Sequence, residues 1–525
     1  MNAINPLATR AGISKQPSRP ATMQRFLASD TTLIAGIALI SAMVHMLFAS
    51  NYGYFRDELY YIAAGHHLAF GYVDFPPMIA FLAALLQPFG DNLFIIHIVP
   101  AIANGCLVFT TGLIAREFGG GRIAQGLAAL TTAVCLVFMA TGSIFSMDIL
   151  DALWWTLAAY VLVLLIKRQT PRLWLLFGLV AGIGLTTKLT MLFWGLALVV
   201  GLLLTPQRRL LLNRWVLAGG AIAFALLAPY IVWNAINGAP TWEFWHHYGG
   251  ITGDGPIAYL ANQIFLINPF TVPVAITGLF FFFRSRAGKP YRALGWAFVF
   301  LYVLFTLIHT KSYFLGPAYP PLFAGGAVLI ERAALRRVWV APTVAAVLAL
   351  SGILLAPLAM PVLPPATFVQ DYGFLSGQGN ASAGQQSSAL PQYLADRFGW
   401  PQLAATVADV YNSLPASERA QACIVTSNYG EAGALQIYSA QYHLPPVVSA
   451  HNNYYYWGTG GCSGKVMITV GYSQSDLAKS YSVVTLAKTF TCAYCEPYEN
   501  DSPIYVIQQP KYPLQQLWQS TKHYN

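Results

Sequence analysis

The chain has 525 residues, of which 56% are hydrophobic and only 9% charged, and its formal net charge is +9. A soluble domain carries about 25% charged residues, and a soluble chain this apolar would expose a large apolar patch. The composition therefore excludes an ordinary soluble protein. The positive charge does not indicate nucleic acid, because Lys and Arg occur in short clusters between apolar runs, as membrane topology requires.

The apolar runs predict about eleven membrane-spanning helices after a polar segment, residues 1–31, that is typical of a cytoplasmic leader and not of a cleaved signal peptide. Runs of this kind can cross about 30 Å of hydrocarbon, and only helices satisfy the backbone there. The predicted spans lie roughly at residues 32–50, 93–115, 123–140, 149–166, 173–186, 189–204, 214–232, 263–283, 293–309, 314–330 and 338–358.

The distribution of charge predicts the orientation. With Arg214 at a span edge, the predicted cytoplasmic segments hold 19 of the 29 Lys and Arg residues, whereas the outward loops of the membrane part hold three. This bias places the N-terminus in the cytoplasm. Acids contribute little to orientation, so their excess in the outward loops indicates a reaction site or a substrate path there. These acids are Asp57, Glu58, Asp74, Asp91, Asp148, Asp151, Glu243 and Asp254.

The loop after the first span, residues 51–92, is long and contains two stretches that predict interfacial helices, at 57–70 and 76–87. The second is apolar but, at about 12 residues, too short to cross a bilayer. A large structured outer loop is unusual for a simple channel. The membrane domain is expected to cover residues 32–360.

A change in composition predicts a second domain. Residues 361–390 indicate a linker, and residues 391–525 alternate short β-like runs with helical patterns, which is typical of a small α/β domain. An odd number of spans places this domain outside the cytoplasm. Its four cysteines allow up to two disulfides in three pairings, and the last two also form a Cys-x-x-Cys motif compatible with a redox or metal pair. They are Cys423, Cys462, Cys492 and Cys495.

The segment Tyr54-Phe55-Arg56-Asp57-Glu58-Leu59-Tyr60-Tyr61 places two carboxylates and an arginine among aromatic residues at the membrane edge. One interpretation is the start of an interfacial helix, since aromatics belt the interface and acids favour a helix N-terminus. The other is a general base beside a membrane-embedded substrate.

Several motifs resemble glycosyltransferase family 39, which includes protein O-mannosyltransferases and the bacterial lipid A aminoarabinose transferase. They are the segment above with Gly71-Tyr72-Val73-Asp74-Phe75-Pro76-Pro77, Thr187-Lys188-Leu189-Thr190, Lys311-Ser312-Tyr313-Phe314-Leu315-Gly316-Pro317, and, more weakly, Asn428-Tyr429-Gly430-Glu431-Ala432 and His451-Asn452-Asn453-Tyr454. The resemblance covers most of residues 30–460. It implies an all-α membrane bundle of the GT-C fold that uses polyprenyl-phosphate sugars, with the α/β domain appended.

The resemblance implies that Asp57 is the catalytic carboxylate, with Glu58 as its neighbour, and that the sugar is transferred with inversion. The leaving phosphate needs positive charge nearby. The aminoarabinose transferase pattern has Lys directly before the Pro-Pro of the first loop, where this chain has Phe75. The candidates for contacting the donor phosphate are therefore Lys311, Tyr313, Lys188 and Arg56, with Lys311 favoured.

Asp148 and Asp151 are three residues apart, which places both on one helical face near the outer start of the fourth span. With Asp74 they form a candidate second acidic site. The pair is compatible with binding an acceptor or a divalent cation, and equally with helix capping by Asp148. Two oxygen ligands alone do not make a metal site, so no metal site and no cofactor are predicted.

Other polar and aromatic clusters favour ordinary roles. The pairs His66-His67 and His246-His247 lack a ligand partner at metal spacing and are typical of interfacial residues. Residues 242–248 predict a lid or a sugar platform. The aromatic run at 454–458 is compatible with acceptor binding or with core packing.

The leading hypothesis is a membrane glycosyltransferase that moves a sugar from a polyprenyl-phosphate donor to a lipid, glycan or protein acceptor at the outer face. The alternatives are a lipid-linked glycan transporter or flippase, and an envelope assembly scaffold. A transporter should show charges along its spans or inverted repeats, and neither is evident. A scaffold leaves Asp57 and Glu58 unexplained.

Overall fold

A computed structural model describes residues 30–248, 255–376 and 388–524. The predicted leader up to residue 29, Asp254, and residues 377–387 of the predicted linker lie outside the described residues. The helices of the N-terminal two thirds are α1 (Asp30–Leu47), α2 (Arg56–His66), α3 (Met78–Leu86), α4 (Leu93–Glu117), α5 (Arg122–Ala133), α6 (Leu136–Gly142), α7 (Met147–Arg168), α8 (Leu173–Thr187), α9 (Met191–Leu203), α10 (Arg214–Ile236), α11 (Pro240–Tyr248), α12 (Pro256–Leu266), α13 (Val272–Arg284), α14 (Arg292–Leu307), α15 (Pro320–Ala334), α16 (Val340–Leu355) and α17 (Pro365–Ser376).

Six helices in the described parts of the chain are long and apolar enough to cross a membrane: α1, α4, α7, α10, α14 with the turn before it, and α16 with the turn after it. Two bent pairs, α5 with α6 and the 3₁₀ turn Ser312–Ala318 with α15, raise the number to eight if each is one span. Lipid-compatible surface is evident on α10, where Leu217 and Ile236 are 78% and 76% exposed. Because α8 and α9 are shorter, the total of eleven spans stays a prediction.

The predicted span at 263–283 differs from the structure, which has two helices there, α12 and α13. Asn268 has a φ of 75°, outside the helical region, and Pro269 follows it. A residue before proline is disfavoured in the α conformation, and proline lacks the N–H that would continue the helix. The side chain of Asn268 stabilises the break by donating to the carbonyl of Val134 at 3.1 Å.

The membrane helices approach closely where small residues meet. The carbonyl oxygen of Gly219 on α10 lies 2.1 Å from the position that a Cβ on Gly178 of α8 would occupy. A side chain at Gly178 would therefore force α8 and α10 apart. Small residues have this function at membrane helix interfaces, where van der Waals contact between backbones replaces the hydrophobic effect.

The C-terminal domain contains a five-stranded mixed sheet in the order β2-β1-β3-β5-β4. The first three strands in this order are parallel and the last two pairings are antiparallel. Its elements are α18 (Gln392–Ala395), α19 (Trp400–Ser413), α20 (Ala416–Arg419), β1 (Ala422–Thr426), α21 (Tyr429–Ile437), α22 (Ser439–Tyr442), β2 (Val447–Ser449), α23 (Asn453–Trp457), β3 (Val466–Val470), α24 (Gln474–Ser480), β4 (Tyr481–Phe490), β5 (Ser502–Pro510) and α25 (Leu514–Thr521).

The C-terminal domain packs directly on the first outer loop. Arg397, only 2% exposed, donates to the carbonyl oxygen and the hydroxyl of Ser143 at 3.0 and 2.9 Å. The indole of Trp400 donates to the carbonyl of Tyr54 at 2.9 Å. These buried bonds connect two parts of the chain that are more than 250 residues apart, so the two domains share one interior.

Part of the predicted linker is helical. Its first half forms α17, in which Phe368 is buried and stacks on Tyr372 at a ring distance of 5.9 Å. The hydroxyl of Tyr52 in the first outer loop donates to the carbonyl of Leu363 at 2.8 Å. Aromatic residues four apart place both rings on one helical face, a periodicity that the polar composition of the segment concealed.

Candidate active site

Asp57 lies in the first turn of α2 and is half-buried at the contact with the C-terminal domain. The hydroxyl of Tyr429 donates a 2.7 Å hydrogen bond to its Oδ1. Burial raises the pKa of Asp57, and the negative charge of Asp148 adds to this effect. The Tyr429 bond and the positive charges of Arg56 and Lys311 oppose it without cancelling it. A carboxylate with a raised pKa is a stronger base.

Glu58 points away from Asp57 into the interior. Its carboxylate accepts the backbone N–H groups of Phe55 and Phe145 at 2.8 and 2.6 Å and lies 2.7 Å from Nε2 of His97 on α4. Burial by itself would raise the pKa of Glu58, but His97, the charge of Arg397 and the Phe145 bond hold it below its usual value. Glu58 therefore connects the first loop to α4 and to the segment before α7.

The guanidinium of Arg56 packs against aromatic rings of the C-terminal domain. Its central carbon lies 4.5 Å from the ring centre of Tyr429 and 5.1 Å from that of Tyr498, and its Nη1 donates to the Tyr498 hydroxyl at 3.3 Å. Its backbone N–H donates to the carbonyl of Asp396 at 3.1 Å. Arg56 is thus held by the domain contact, while its charge acts on Asp57.

Asp148 and Asp151 of the predicted second acidic site line one cleft with two of the predicted phosphate ligands, Lys188 and Tyr313, whereas Asp74 is not part of that lining. Nζ of Lys188 lies 2.5 Å from Oδ1 of Asp148, and the hydroxyl of Thr190 donates to Oδ2 of Asp151 at 2.6 Å. The Lys188 ammonium also lies 5.3 Å from the ring centre of Tyr313. These side chains line one narrow pocket between α7, the α8–α9 connection and the turn before α15.

The N-cap of α7 is Ser146, whose hydroxyl accepts the backbone N–H of Asp148 at 3.3 Å. The alternative in which Asp148 itself caps the helix therefore does not describe this structure. Asp148 and Asp151 do face the same cleft, as their spacing predicts. Oδ1 of Asp151 is buried without a hydrogen-bond partner among the described residues.

Lys311 stands at the N-cap of the 3₁₀ turn Ser312–Ala318, next to this cleft, and its side chain is exposed. Its positive charge acts on Asp57. The resulting arrangement places Lys311 and Lys188 on the same side of the membrane part as Asp57 and Asp148. Two cations and two acids from four separate sequence motifs are therefore brought together.

Asp74 is positioned by both domains. Its Oδ1 accepts the hydroxyl of Tyr60 at 3.0 Å, and its Oδ2 accepts the side-chain amide of Asn452 at 3.2 Å. Burial raises its pKa to about 7, the Tyr60 and Asn452 bonds oppose this, and the charge of Asp57 adds to it. The backbone N–H of Val73 donates to Oδ1 of Asn453 at 2.9 Å. Asp74 thus lies on the Asp57 side of the domain contact, apart from the Asp148–Asp151 cleft.

His66, His67 and Tyr454 of the aromatic run have ordinary partners. His66 lies 3.0 Å from a carboxylate oxygen of Asp91. The His67 ring stacks on Trp457 with a centre distance of 4.5 Å. Tyr454 is buried and donates to Gln436 at 2.9 Å. The aromatic run therefore packs, at least in part, between the domain core and the first loop.

The segment predicted as a lid or sugar platform, α11, is connected to the end of the chain. Glu243 pairs with the Lys522 ammonium at 2.6 Å and accepts the Tyr524 hydroxyl at 3.3 Å. The ring of Phe244 lies 6.2 Å from that of Tyr524. These contacts connect α11 to the C-terminal domain.

Two of the four outward cysteines form a disulfide, between Cys423 and Cys462. Cys492 and Cys495 are free thiols, and the backbone N–H of Cys495 lies 3.2 Å from the Cys492 sulfur. The hydrogen bond from Cys495 lowers the pKa of Cys492 to about 6, against the effect of burial. The structure thus has one of the two predicted disulfides.

Sequence reasoning missed Tyr429, Arg397 and a buried acid pair behind Arg56. Glu431 accepts the backbone N–H groups of Ser427 and Asn428 at 2.9 and 3.2 Å. Glu499 accepts the side-chain amide of Asn428 at 3.1 Å. The Asn-Tyr-Gly-Glu motif carries a capping-box spacing, which was the available signal for Glu431. No local pattern indicates that Tyr429 reaches a residue 372 positions away.

The sequence and the fold were compared with known proteins. Residues 74–233 match the family model described as dolichyl-phosphate-mannose-protein mannosyltransferase. The lipid A galacturonosyltransferase RgtD of Rhizobium johnstonii is 25% identical over 267 residues, covering 49% of this chain and 56% of that protein. An undecaprenyl phosphate-alpha-4-amino-4-deoxy-L-arabinose arabinosyl transferase of Pseudomonas fluorescens is 27% identical over 225 residues, covering 40% and 39%. The alignments therefore span about half the length of these relatives or less.

The fold is shared with ArnT from Cupriavidus metallidurans. The apo crystal structure superposes with a TM-score of 0.61 at 14% identity, covering 93% of this chain and 98% of that one. The structure bound to undecaprenyl phosphate gives a TM-score of 0.56 at 13% identity, covering 90% and 97%. Part of the chain is therefore similar in sequence to these sugar transferases, and the chain has the fold of ArnT.

Proposed function

We propose that this protein transfers a sugar from a polyprenyl-phosphate donor to a lipid, glycan or protein acceptor at the outer membrane face, with Asp57 as the general base. The observation that carries the proposal is the half-buried Asp57 carboxylate, which has a raised pKa and lies within the field of the cation Lys311. The relatives' names, which specify lipid A and an undecaprenyl-phosphate sugar, support this donor class.

The proposed reaction is an in-line displacement. Asp57 accepts the proton of an acceptor hydroxyl or amine while that atom attacks C1 of the sugar from the face opposite the phosphate. The new bond forms as the bond from C1 to the phosphate oxygen breaks, so the configuration at C1 inverts. The lipid phosphate leaves with the electron pair of that bond, and no proton is required on it.

Lys311 and Lys188 are the proposed partners of the phosphate. Negative charge builds on the leaving oxygens in the transition state, and fixed cations in a partly dry site stabilise that charge more than water does. Lys188 is already paired with Asp148. Lys311 is the more exposed of the two cations and is the proposed first contact for the donor, with Tyr313 two residues away and in the same cleft as Lys188.

Glu58 and Arg56 act on Asp57 indirectly in this proposal. Glu58, with its hydrogen bonds formed inside the fold, fixes the start of α2. Arg56, stacked on Tyr429, limits the rise of the Asp57 pKa so that a useful fraction stays ionised. Asp148, Asp151 and Asp74 remain the proposed second acidic positions.

Replacing Asp57 tests the proposal. Asp57→Asn keeps the shape and a hydrogen-bond acceptor for Tyr429 but cannot accept the proton. Loss of a general base lowers transfer by about 10²–10⁴-fold. Mass spectrometry of envelope lipids and glycans should show the sugar-modified product in cells complemented with wild type, and little or none in cells that lack the gene or carry Asp57→Asn.

The matched control is Asp476→Asn, an exposed acid of the C-terminal domain that pairs with Lys479. It should restore the product fully. Product at wild-type level with Asp57→Asn, at equal protein abundance, would remove Asp57 from the chemistry.

A further inference from the structure

Tyr429 brings a polar group of the C-terminal domain onto the carboxylate at the start of α2. In the part of the chain that the structure describes, the side-chain hydrogen bond of Asp57 comes from this hydroxyl, at 2.7 Å to Oδ1. Among the described residues, no hydrogen bond to the second oxygen, Oδ2, accompanies this one. A base with one oxygen fixed and one available has the geometry that proton abstraction requires.

The position of Tyr429 is fixed by several independent contacts. It is the first residue of α21, whose cap Asn428 accepts the backbone N–H of Glu431 at 3.0 Å. Its own N–H lies 3.2 Å from Nδ1 of His451. Its ring stacks on Tyr60 at 4.7 Å, in addition to the contact with the Arg56 guanidinium. The hydroxyl is therefore held in place before any substrate arrives.

The helices α21 and α2 pack without a gap. A Cβ on Gly433 of α21 would come within 2.8 Å of the Cβ of Leu59 and 2.9 Å of its carbonyl oxygen. Only glycine permits this approach, which places the N-terminus of α21 against the first turn of α2. The contact of Tyr429 with Asp57 follows from how the two helices dock.

Tyr429 is a hydrogen-bond donor to Asp57 over the working pH range. Burial raises the pKa of the Tyr429 hydroxyl, Arg56 opposes this, and the charge of Asp57 and the hydrogen bond to it raise the pKa further. The phenol therefore keeps its proton. A hydrogen bond donated to a carboxylate favours the ionised form of that carboxylate.

We propose that Tyr429 is a positioning residue through which the C-terminal domain orients Asp57 and keeps it ionised, so that the active site is complete only when this domain is docked. The inference rests on the proposed role of Asp57 as general base. It assigns the domain a part in the chemistry that is separate from any role in binding the acceptor.

Other charged and titratable groups also face Asp57, and a test must separate Tyr429 from them. They come from α2, the first loop, the start of α7, the turn before α15 and the segment before α19. These groups are Arg56, Tyr61, Asp74, Asp148, Lys311 and Asp396.

Tyr429→Phe removes the hydroxyl and leaves the ring that stacks on Tyr60 and faces Arg56. Without the hydrogen bond, the pKa of Asp57 rises by about one to two pH units, the value of a bond to a charged group. The acidic limb of the transfer rate should move up by the same amount. At a pH on that limb, the rate should fall about tenfold or more.

Two readouts on the full-length protein measure this shift. Carbodiimide reacts with protonated carboxyls, so the pH midpoint of labelling at Asp57, located by peptide mass spectrometry, reports its protonation directly. Transfer from metabolically labelled lipid-linked sugar in envelope membranes gives the pH–rate profile. Both midpoints should move upward together in Tyr429→Phe.

The matched control is Tyr454→Phe, which removes another buried hydroxyl of the same domain, one that donates to Gln436. Neither midpoint should move in this variant. A Tyr429→Phe labelling midpoint equal to that of wild type would overturn the inference, even if activity were lost, because a structural defect lowers rate without changing protonation. Full transfer by Asp57→Asn would instead overturn the proposed base, and the labelling result would still test Tyr429.

Discussion

Asp57 and Glu58 are adjacent carboxylates with opposite surroundings. Burial acts on both, yet the pKa of Asp57 stays above its usual value and that of Glu58 below it. The difference comes from direction, because neighbouring residues on a helix do not share a face. Asp57 faces Tyr429 at the domain contact, whereas Glu58 faces His97. One acid is thus suited to accept a proton and the other to hold the fold.

Lys311 is the side chain that we expect to bind the donor phosphate. Lys311→Ala removes an exposed cation beside the cleft, so binding of a polyprenyl-phosphate donor should weaken about tenfold or more, the value of a charge-assisted contact. The apparent affinity for the acceptor should change little. Binding of undecaprenyl phosphate, followed by native mass spectrometry in detergent, measures the first quantity.

The matched control for Lys311→Ala is Lys488→Ala. Lys488 is a half-exposed cation on β4 of the C-terminal domain, and it pairs with Asp409 of α19. It should bind the lipid phosphate as wild type does. Unchanged lipid affinity in Lys311→Ala would assign the phosphate contact to another cation.

At the scale of elements, α21 depends on a buried acid pair. Burial raises the pKa of Glu431 to about 7 and that of Glu499 to about 8. The charge of Glu431 adds to the rise in the pKa of Glu499. These acids support the turn that presents Tyr429. Because both pKa values are raised in the folded state, the folded domain keeps these two protons at pH values where the unfolded chain has released them.

The stability of the folded protein depends on pH through Glu499. The folded-state pKa of Glu499 lies above its unfolded value of 4.5, so between these values the folded state binds more protons. Stability is therefore highest near pH 5 and falls as pH rises through the folded-state pKa. Glu499→Gln removes this ionisation and keeps an acceptor for Asn428. It should raise the thermal midpoint at pH 9 by a few degrees and flatten its pH dependence.

Thermal unfolding of the full-length protein in detergent, followed by tryptophan fluorescence between pH 5 and pH 9, measures this effect. Glu418→Gln, at a partly exposed acid on α20, should leave the pH dependence as in wild type. A Glu499→Gln profile parallel to that of wild type would show that the acid pair does not titrate in this range.

For the whole molecule, the orientation is a prediction that labelling can check. The excess of Lys and Arg in alternate loops places the C-terminal domain outside and Arg336 inside. In spheroplasts, with the native free thiols Cys106, Cys135, Cys492 and Cys495 replaced by serine, a membrane-impermeant maleimide should therefore label Ser417→Cys, and should label Arg336→Cys only after lysis. Both positions are exposed, so accessibility to the reagent differs only by side. Labelling of both before lysis, or of Arg336→Cys alone, would contradict the topology.

Helices and strands that have a local sequence pattern were predicted correctly from the sequence. The long apolar runs correspond to helices, and the β-like runs at residues 422–426, 465–470 and 504–508 correspond to β1, β3 and β5. Local patterns failed at the break between α12 and α13, where a proline interrupts an apolar run, and at α17, where a polar composition conceals two stacked aromatics. Sequence motifs and spacing predicted six site residues that the structure brings to one side of the membrane part. They are Asp57, Asp148, Asp151, Lys188, Lys311 and Tyr313.

The sequence by itself determined that the chain lies in a membrane and which residues carry unusual chemistry. Hydropathy and charge clusters are local properties that hydrocarbon selects directly. Only the tertiary structure decided which acid faces the site, which cation is already paired, and that Tyr429 completes the contact with Asp57. These outcomes depend on which way each helix face points and on contacts between segments hundreds of residues apart. Neither property produces a periodic pattern in the amino-acid sequence.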